Sequence, residues 1–434
     1  MIFAGLIIRG TDYMGQNLRY IIFIVIVLFT LPVCAQQTQQ GVPIKKIVPP
    51  NQPAAKSTDT VIVTEKGTPQ KDLSDVISEL KHKKPTAEVD YITTKPQISV
   101  VPAIGYTLVT DFALVVSGNV AFRTGPQSRV SSIVASASYT EKKQFIMPVQ
   151  TNFFTSDNNY EFIGNYAYLK YPQSTYGLGS DSKIANEDPM DYSLIQLYET
   201  VLRRISGNFY AGAGFDFDDH FNISEKGNYN GLTSDYANYG ETTRSISSGF
   251  TLNGVYDSRD NSINPFKGAY IGLQLRTADK AFGSTSEWQS VIFDVRKYFN
   301  FPEGSGNVLA LWNYDWLIVA GKPPYLDLPA TGWDSNWATG RGYIQGRFRG
   351  SQMVYFEGEY RYRITSNGLI GGTVFLNGES FSAGQGTKLQ SMQPGFGPGL
   401  RIKLNKVSKT NVSANYGFGN QGSRGLFISV GEAF

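Results

Sequence analysis

The sequence has few of the residues that metal sites and disulfide frameworks need. Its 434 residues include one cysteine, Cys34, and two histidines, His82 and His220. One cysteine cannot form a disulfide within the chain, and this supply is too small for a cysteine-rich zinc module or a histidine-rich metal centre. We therefore predict neither a cofactor nor a bound metal.

Charge and enzyme motifs are also scarce. Charged residues make up 17% of the chain and the net charge is +3, so no basic field indicates a nucleic-acid partner. No G-x-S-x-G, H-E-x-x-H or Walker motif is present. A G-x-G-x-x-G at Gly417–Gly422 lies between two strand-like segments and is interpreted as a hairpin loop. The sequence therefore predicts a protein that is not an enzyme.

The main apolar run, residues 20–31, is shorter than the roughly 20 residues that a membrane-spanning helix needs. Arg19 precedes this run and a small residue, Ala35, follows it, which is typical of a secretory signal peptide. We predict a signal peptide at 1–35, with Met14 as an alternative start. Cys34 would then leave with the signal, although a lipid-anchored Cys34 stays open as an alternative.

Residues 36–95 are rich in Pro, Lys, Thr and Gln and contain no aromatic residue before Tyr91. Such a composition cannot bury enough apolar surface to fold, so we predict a disordered periplasmic linker. Within it a short helix is expected at about 72–83, because four apolar residues follow helical spacing: Leu73, Val76, Ile77 and Leu80. This helix either docks on a partner or forms transiently in a tether.

From residue 96 to Phe434 the pattern changes to alternation of apolar and polar residues. Segments such as 113–123 and 209–218 alternate over about ten residues, which is the signature of transmembrane β-strands. Water-soluble β-sandwiches and propellers also alternate, but their strands average five or six residues. We predict an all-β fold, a transmembrane antiparallel β-barrel of about sixteen strands, which belongs in an outer membrane.

Three motifs carry a family resemblance. They are the loop Gly340-Arg341-Gly342-Tyr343 before a strand at 353–364, the segment 256–268 with its YDSRDN and NPFKG sequences, and the ending Val430-Gly431-x-x-Phe434. Together they resemble the BamA/TamA superfamily of outer-membrane β-barrels, the bacterial surface antigens, which includes insertases and two-partner secretion pores. The resemblance implies a sixteen-stranded barrel in the outer membrane of a Gram-negative bacterium. It also implies that Phe434 acts as a C-terminal assembly signal.

The resemblance further implies that the sixth loop, 322–351, folds back into the lumen. Arg341 would be held there by an acidic residue on the barrel wall, and Glu359 aligns best, with Glu357 on the same face of its strand. A solvated Arg341 is the alternative. Asn377 stands where many members carry Asp, so we expect any second acidic contact to Arg341 to be weakened.

Residues 36–95 offer too little length for the POTRA modules that precede typical barrels of this family, so we expect the chain to lack them. The leading hypothesis is an insertase- or translocon-like barrel that acts on unfolded client proteins, alone or with a separate periplasmic partner. It would open at a lateral seam between the first strand, 98–106, and the last, 424–434. Pro102, Gly105 and Gly431 are expected to weaken or kink this seam.

Two other functional classes remain open. A closed barrel would serve as a structural or docking subunit of an outer-membrane complex, or as a small-solute pore. An enzyme would have to use luminal carboxylates such as Asp216, Asp218 and Glu357, but charges of this kind are normal inside barrels.

Overall fold

The computed structural model describes residues 64, 67–82, 94–107, 111–227, 231 and 233–434. The signal peptide at 1–35, Cys34 and most of the linker at 36–95 lie outside these residues, so those interpretations stay predictions. Within the part that is described, no helix has the length and apolar character needed to cross a bilayer.

The described chain is dominated by antiparallel strands. Two short α-helices accompany them, α1 at Leu73–Leu80 and α2 at Asp235–Gly240. The strands are β1 Gln97–Thr107, β2 Asp111–Arg123, β3 Val130–Thr140, β4 Phe145–Phe154, β5 Tyr160–Lys170, β6 Gln173–Thr175, β7 Asp188–Ser206, β8 Phe209–Glu225, β9 Arg244–Asp257, β10 Gly268–Ala278, β11 Trp288–Asn300, β12 Val308–Gly321, β13 Gln352–Arg363, β14 Ile370–Phe381, β15 Gln393–Asn405, β16 Thr410–Gly419 and β17 Arg424–Val430.

Each long strand pairs with the next long strand along the chain. The three-residue β6 pairs only with β7, and β5 pairs directly with β7, so sixteen long strands form the wall. Cα atoms of β1 and β17 lie within 8 Å of each other, which closes the sheet into a barrel. The predicted antiparallel barrel of about sixteen strands is confirmed.

The two faces of the wall differ as the alternation predicts. Leu114 in β2 and Leu252 in β9 are 67% and 56% exposed on the outer face. Asp216 and Asp218 in β8 are buried on the luminal face. Apolar side chains toward lipid and polar side chains toward the lumen are the arrangement of a membrane-spanning barrel.

The barrel has a terminal end, where β1 begins and β17 ends, and a loop end opposite to it. The longest connection at the loop end is 322–351, which enters the lumen. At the terminal end the β9–β10 and β15–β16 connections meet across the mouth, because Asn264 donates to the Lys409 carbonyl at 3.2 Å. Val407 and Ile263 from the same two connections belong to one hydrophobic cluster.

Helix α1 lies on the terminal end. Asp72 is its N-cap, and Asp72 and Asp75 form a capping box. Lys406 binds both of them: its backbone N–H donates to Asp72 at 3.0 Å and its Nζ pairs with Asp75 at 2.7 Å. The segment therefore docks on the barrel through its acidic residues. Two residues of the predicted apolar face, Ile77 and Leu80, are 44% and 76% exposed.

Candidate functional site in the barrel lumen

The tip of loop 322–351 lies against the inner wall. Gly340 and Gly342 have φ of +75° and +114°, and a Cβ at Gly342 would lie 2.6 Å from the Phe418 carbonyl oxygen. Both positions therefore require glycine. The Tyr343 hydroxyl donates to the Pro394 carbonyl at 2.6 Å and accepts from the Asn420 N–H at 2.9 Å.

Arg341, between these glycines, pairs with two wall carboxylates on β13. Its Nη2 donates to Glu357 and, at 2.5 Å, to Glu359. All three side chains are at most 4% exposed. Burial alone would lower the pKa of Arg341, but the two carboxylates raise it above the usual value. The guanidinium therefore stays charged, and it lies 4.0 Å from the Phe375 ring centroid.

Asn377 on β14 also binds the loop tip. Its Nδ2 donates to the Arg341 carbonyl at 2.9 Å. A carboxylate at this position has no proton to donate at neutral pH. The second acidic contact that we expected to be weakened is present, because Glu357 supplies it from β13.

Two further arginines fix the body of the loop. Arg347 donates to the Ser182 carbonyl at 2.7 Å and to the Gln421 side chain at 3.1 Å, which ties the loop to two other connections. Arg349 donates to three carbonyls of the loop itself, at 3.0 to 3.3 Å. Neither residue was predicted as a site residue from the sequence, although both lie shortly after the motif in the run GRGYIQGRFR.

The chain after β17 turns inward. The sequence predicts a last strand that reaches Phe434, but β17 ends at Val430, so this boundary was wrong. Gly431 has a φ of +106°, a left-handed conformation that takes the chain out of the sheet. Phe434 is 4% exposed and stacks on Trp312 with ring centroids 5.0 Å apart. Its role as an assembly signal stays a prediction.

Arg361 on β13 joins this tail to the loop anchor. Its Nε donates to Glu359 at 2.5 Å and lies 3.5 Å from Glu432, and its Nη2 donates to a main-chain oxygen of Phe434 at 3.0 Å. Glu432 also pairs with Arg401. We call the six side chains the luminal ion chain: Glu357, Arg341, Glu359, Arg361, Glu432 and Arg401. Three of its members, Glu357, Arg341 and Glu359, were predicted as site residues from the sequence, and the parity that Arg361 shares with Glu359 predicts its luminal position.

The first and last strands meet at the seam. Pro102 and Gly105 lie in β1 and face Val116 and Ala113 of β2. Among the residues that the structure describes, β1 and β17 share no strand register, whereas every other pair of neighbouring long strands does. A cavity of about 600 Å³ lies on the luminal side, and its lining includes Phe427 and Ser429 of β17.

The structure thus separates the predicted site residues into three places. Gly340, Arg341, Gly342, Tyr343, Glu357, Glu359 and Phe434 come together in the lumen. Pro102 and Gly105 lie in the first strand of the seam, and Gly431 follows the last. The predicted linker helix lies apart from both, on the terminal end.

No protein-family model matches the chain, and a search of curated proteins finds no relative. Among solved structures, the chain is similar to CdiB from Escherichia coli, with a TM-score of 0.50 and 9% identity over 77% of this chain and 67% of that one. It also matches BamA from Haemophilus ducreyi lacking POTRA domains 1–3, with a TM-score of 0.49 and 13% identity over 78% and 70% of the two chains. A third match is CdiB from Acinetobacter baumannii, with a TM-score of 0.48 and 13% identity over 78% and 60%.

At such low identities the similarity concerns the fold. The E. coli CdiB match supports a barrel of the same type. The match covers about two thirds of the length of the CdiB chain. What this barrel does is therefore a matter of proposal.

Proposed function

We propose that the chain is an outer-membrane β-barrel of the BamA/TamA type. It acts in outer-membrane protein assembly or secretion, as an insertase- or translocon-like barrel that opens between β1 and β17. The terminal end faces the periplasm and the long loops face outward. Its partners are outer-membrane lipid, periplasmic or outer-membrane proteins, and unfolded clients. The proposal includes neither an enzymatic step nor a cofactor.

The observation that carries the proposal is the seam. β1 and β17 are close neighbours, but no register joins them in the described part of the chain. β17 has 7 residues, whereas β1 has 11 and β16 has 10. A strand edge with unpaired backbone groups is a template for another strand, so this is the place in the wall that opens at the lowest cost.

In this mechanism an incoming segment pairs with a seam strand through backbone hydrogen bonds. Pro102 leaves β1 with one backbone donor fewer for pairing. The cavity of about 600 Å³ beside β17 gives the segment space on the luminal side. Because the tail turns inward after Val430, residues 431–434 do not extend β17, and an incoming strand would not have to displace them from the sheet.

The test is a reversible lock across the seam. Ser99→Cys in β1 is combined with Ser429→Cys in β17, in a Cys34→Ser background, with Phe427→Cys as the reserve partner. Proteoliposomes of the purified chain receive a urea-unfolded small barrel, and its folding is followed by the heat-dependent shift of its band in a gel. We expect oxidation to stop folding and reduction to restore it.

The matched control is Ser117→Cys with Ser136→Cys. These residues face each other in the β2–β3 register, so their disulfide joins strands that are already paired. This lock should leave activity unchanged. Full activity with the seam oxidised would reject lateral opening, and inactivity of the reduced protein would reject the insertase role itself.

The second candidate is a closed barrel that serves as a docking subunit. It is favoured by α1, which is fixed to the terminal end while Ile77 and Leu80 stay exposed. A photoreactive residue at Leu80, crosslinked in intact cells, separates the two functions. A fixed partner in constant yield indicates a subunit, whereas a varied set of outer-membrane proteins indicates clients.

A further inference from the structure

One buried carboxylate is shared between the loop tip and the tail. Arg341 binds Oε2 of Glu359 and Arg361 binds Oε1, both at 2.5 Å. Their side chains are at most 4% exposed, so water screens little of the interaction. Each guanidinium contacts a second carboxylate, Glu357 for Arg341 and Glu432 for Arg361.

Charges therefore alternate along the luminal ion chain, from Glu357 at one end to Arg401 at the other. Three carboxylates and three guanidinium groups leave it without net charge. Removal of any interior member brings two like charges together without the opposite charge between them, and a buried unpaired charge is costly. The loss of one link therefore weakens the remaining links.

Loop and tail also share a set of apolar neighbours, which does not depend on charge. Phe434 from the tail belongs to the same buried hydrophobic cluster as Tyr343 and Phe348 from the loop. Phe434 stacks on Trp312, and the Arg361 guanidinium lies 5.3 Å from the Phe434 ring centroid. Polar and apolar contacts thus connect the same two segments.

We propose that Arg361 is a positioning residue through which the loop tip and the tail hold each other in the lumen. The two segments lie far apart in the sequence, so the connectivity of the chain does not hold them together. Because such coupling is reciprocal, freeing the loop loosens the tail and freeing the tail loosens the loop, by the same factor. This inference does not rest on the proposed function, since a closed scaffold would hold its loop and tail in the same way.

The test follows both segments in one protein, in a Cys34→Ser background. Ala433→Cys reports the tail through its rate of reaction with a maleimide, and protease cleavage within 322–351 reports the loop. Arg341→Ala acts directly on the loop and Glu432→Gln acts directly on the tail. We expect each variant to raise both rates, and the distant rate to rise about fivefold to a hundredfold, the usual range of coupling between sites.

Arg361→Gln should raise both rates together. Arg361→Lys should restore part of the protection, because lysine keeps the charge but cannot bind two carboxylates as a fork. The matched control is Arg276→Gln, which removes an equally buried luminal guanidinium that pairs with Asp218 outside the chain of six. The Arg276→Gln control distinguishes coupling between the loop and the tail from a general loosening of the barrel.

The proposal is overturned if Arg341→Ala exposes the loop while the maleimide rate at position 433 stays at the value measured without Arg341→Ala. It is equally overturned if Glu432→Gln frees the tail without any change in loop cleavage, or if Arg276→Gln raises both rates as much as Arg361→Gln. If Arg361→Gln fails to fold, the variants Arg341→Ala and Glu432→Gln still test whether the loop and the tail are coupled, because each leaves Arg361 in place.

Discussion

Single residues decide how firmly loop 322–351 is held. Arg341 is buried with two carboxylates, and neither Glu357 nor Glu359 is more than 2% exposed. A buried pair of this kind adds little net stability over an apolar replacement, but it is strongly destabilising to break from one side. The loop anchor therefore depends on each partner being present.

Arg341→Ala should lower the free energy of unfolding by about 3 to 5 kcal/mol, because Glu357 is left without its cation. Loop 322–351 should then become sensitive to protease added outside the cell. Arg347→Ala is a useful comparison, since Arg347 fixes the loop through the carbonyl and hydroxyl of Ser182 and the side-chain amide of Gln421 rather than through carboxylates. A mutant loop as resistant as wild type would contradict the pairing.

Asn377→Asp tests the position where the resembling family often carries Asp. The substitution removes the donor to the Arg341 carbonyl and places a third carboxylate 3.5 Å from Glu357. We expect a loss of about 1 to 3 kcal/mol in urea-induced unfolding, the usual cost of an unsatisfied buried group. Asn377→Ser, which keeps a hydroxyl donor without the charge, should lose less; equal stability of Asn377→Asp and wild type would refute this account.

Whole elements are placed by contacts that the local sequence does not reveal. Helix α1 has its N-cap and apolar spacing in the sequence, so its existence follows from residues 72–80 alone. Its docking depends on Lys406, which lies 331 residues from Asp75 along the chain. The amphipathic pattern favours an apolar contact, whereas the observed contact is ionic.

Lys406→Ala should release α1 from the barrel. The expected signal is a loss of hydrogen-exchange protection over Leu73–Leu80, with the strands unchanged. Val76→Asp together with Ile77→Asp should weaken docking less than Lys406→Ala does. Ile77 is 44% exposed, whereas the side chains of the Lys406–Asp75 ion pair are only about one tenth exposed. If the double variant releases α1 and Lys406→Ala does not, the apolar face carries the contact instead.

The same difference between local patterns and contacts with distant residues explains how much of the barrel could be predicted from the sequence. Alternation in β2, β8 and β9 is a local property, so the wall, its faces and the luminal position of Glu359 could be predicted. The tail could not, because the apolar parity of Leu426, Ile428 and Val430 resumes at Phe434 and only Glu432 interrupts it. Gly431 permits the turn, but the residues that stabilise the turned tail, Arg361 and Trp312, lie on other strands.

At the scale of the whole molecule, both ends of the lumen are crossed by chain. Loop 322–351 occupies the loop end, and the connections that carry Ile263 and Val407 meet at the terminal end. Two cavities, of about 600 Å³ and 220 Å³, share lining residues such as Asn165 and Trp337. Chain segments therefore lie across the lumen at both ends of the barrel.

Purified protein in planar bilayers should therefore show no stable conductance of the kind expected for an open pore. Removal of loop 322–351 should produce frequent openings, because the loop end then lacks its cover. A seam-locked protein serves as the control for leakage between β1 and β17. Steady conductance in the intact, locked barrel would favour the small-solute pore over the other two functions.

The alternating charges of the luminal ion chain have a further consequence. A transmembrane voltage acts on a mobile segment in proportion to the charge that the segment carries through the field, about 2.3 kcal/mol per unit charge for each 100 mV. Arg341 at the loop tip and Glu432 in the tail carry opposite charges and reach the lumen from opposite ends of the barrel, so withdrawing each toward its own end moves charge through the field in the same sense. A voltage of the matching sign should therefore help to withdraw both segments, and a voltage of the opposite sign should hold them in place.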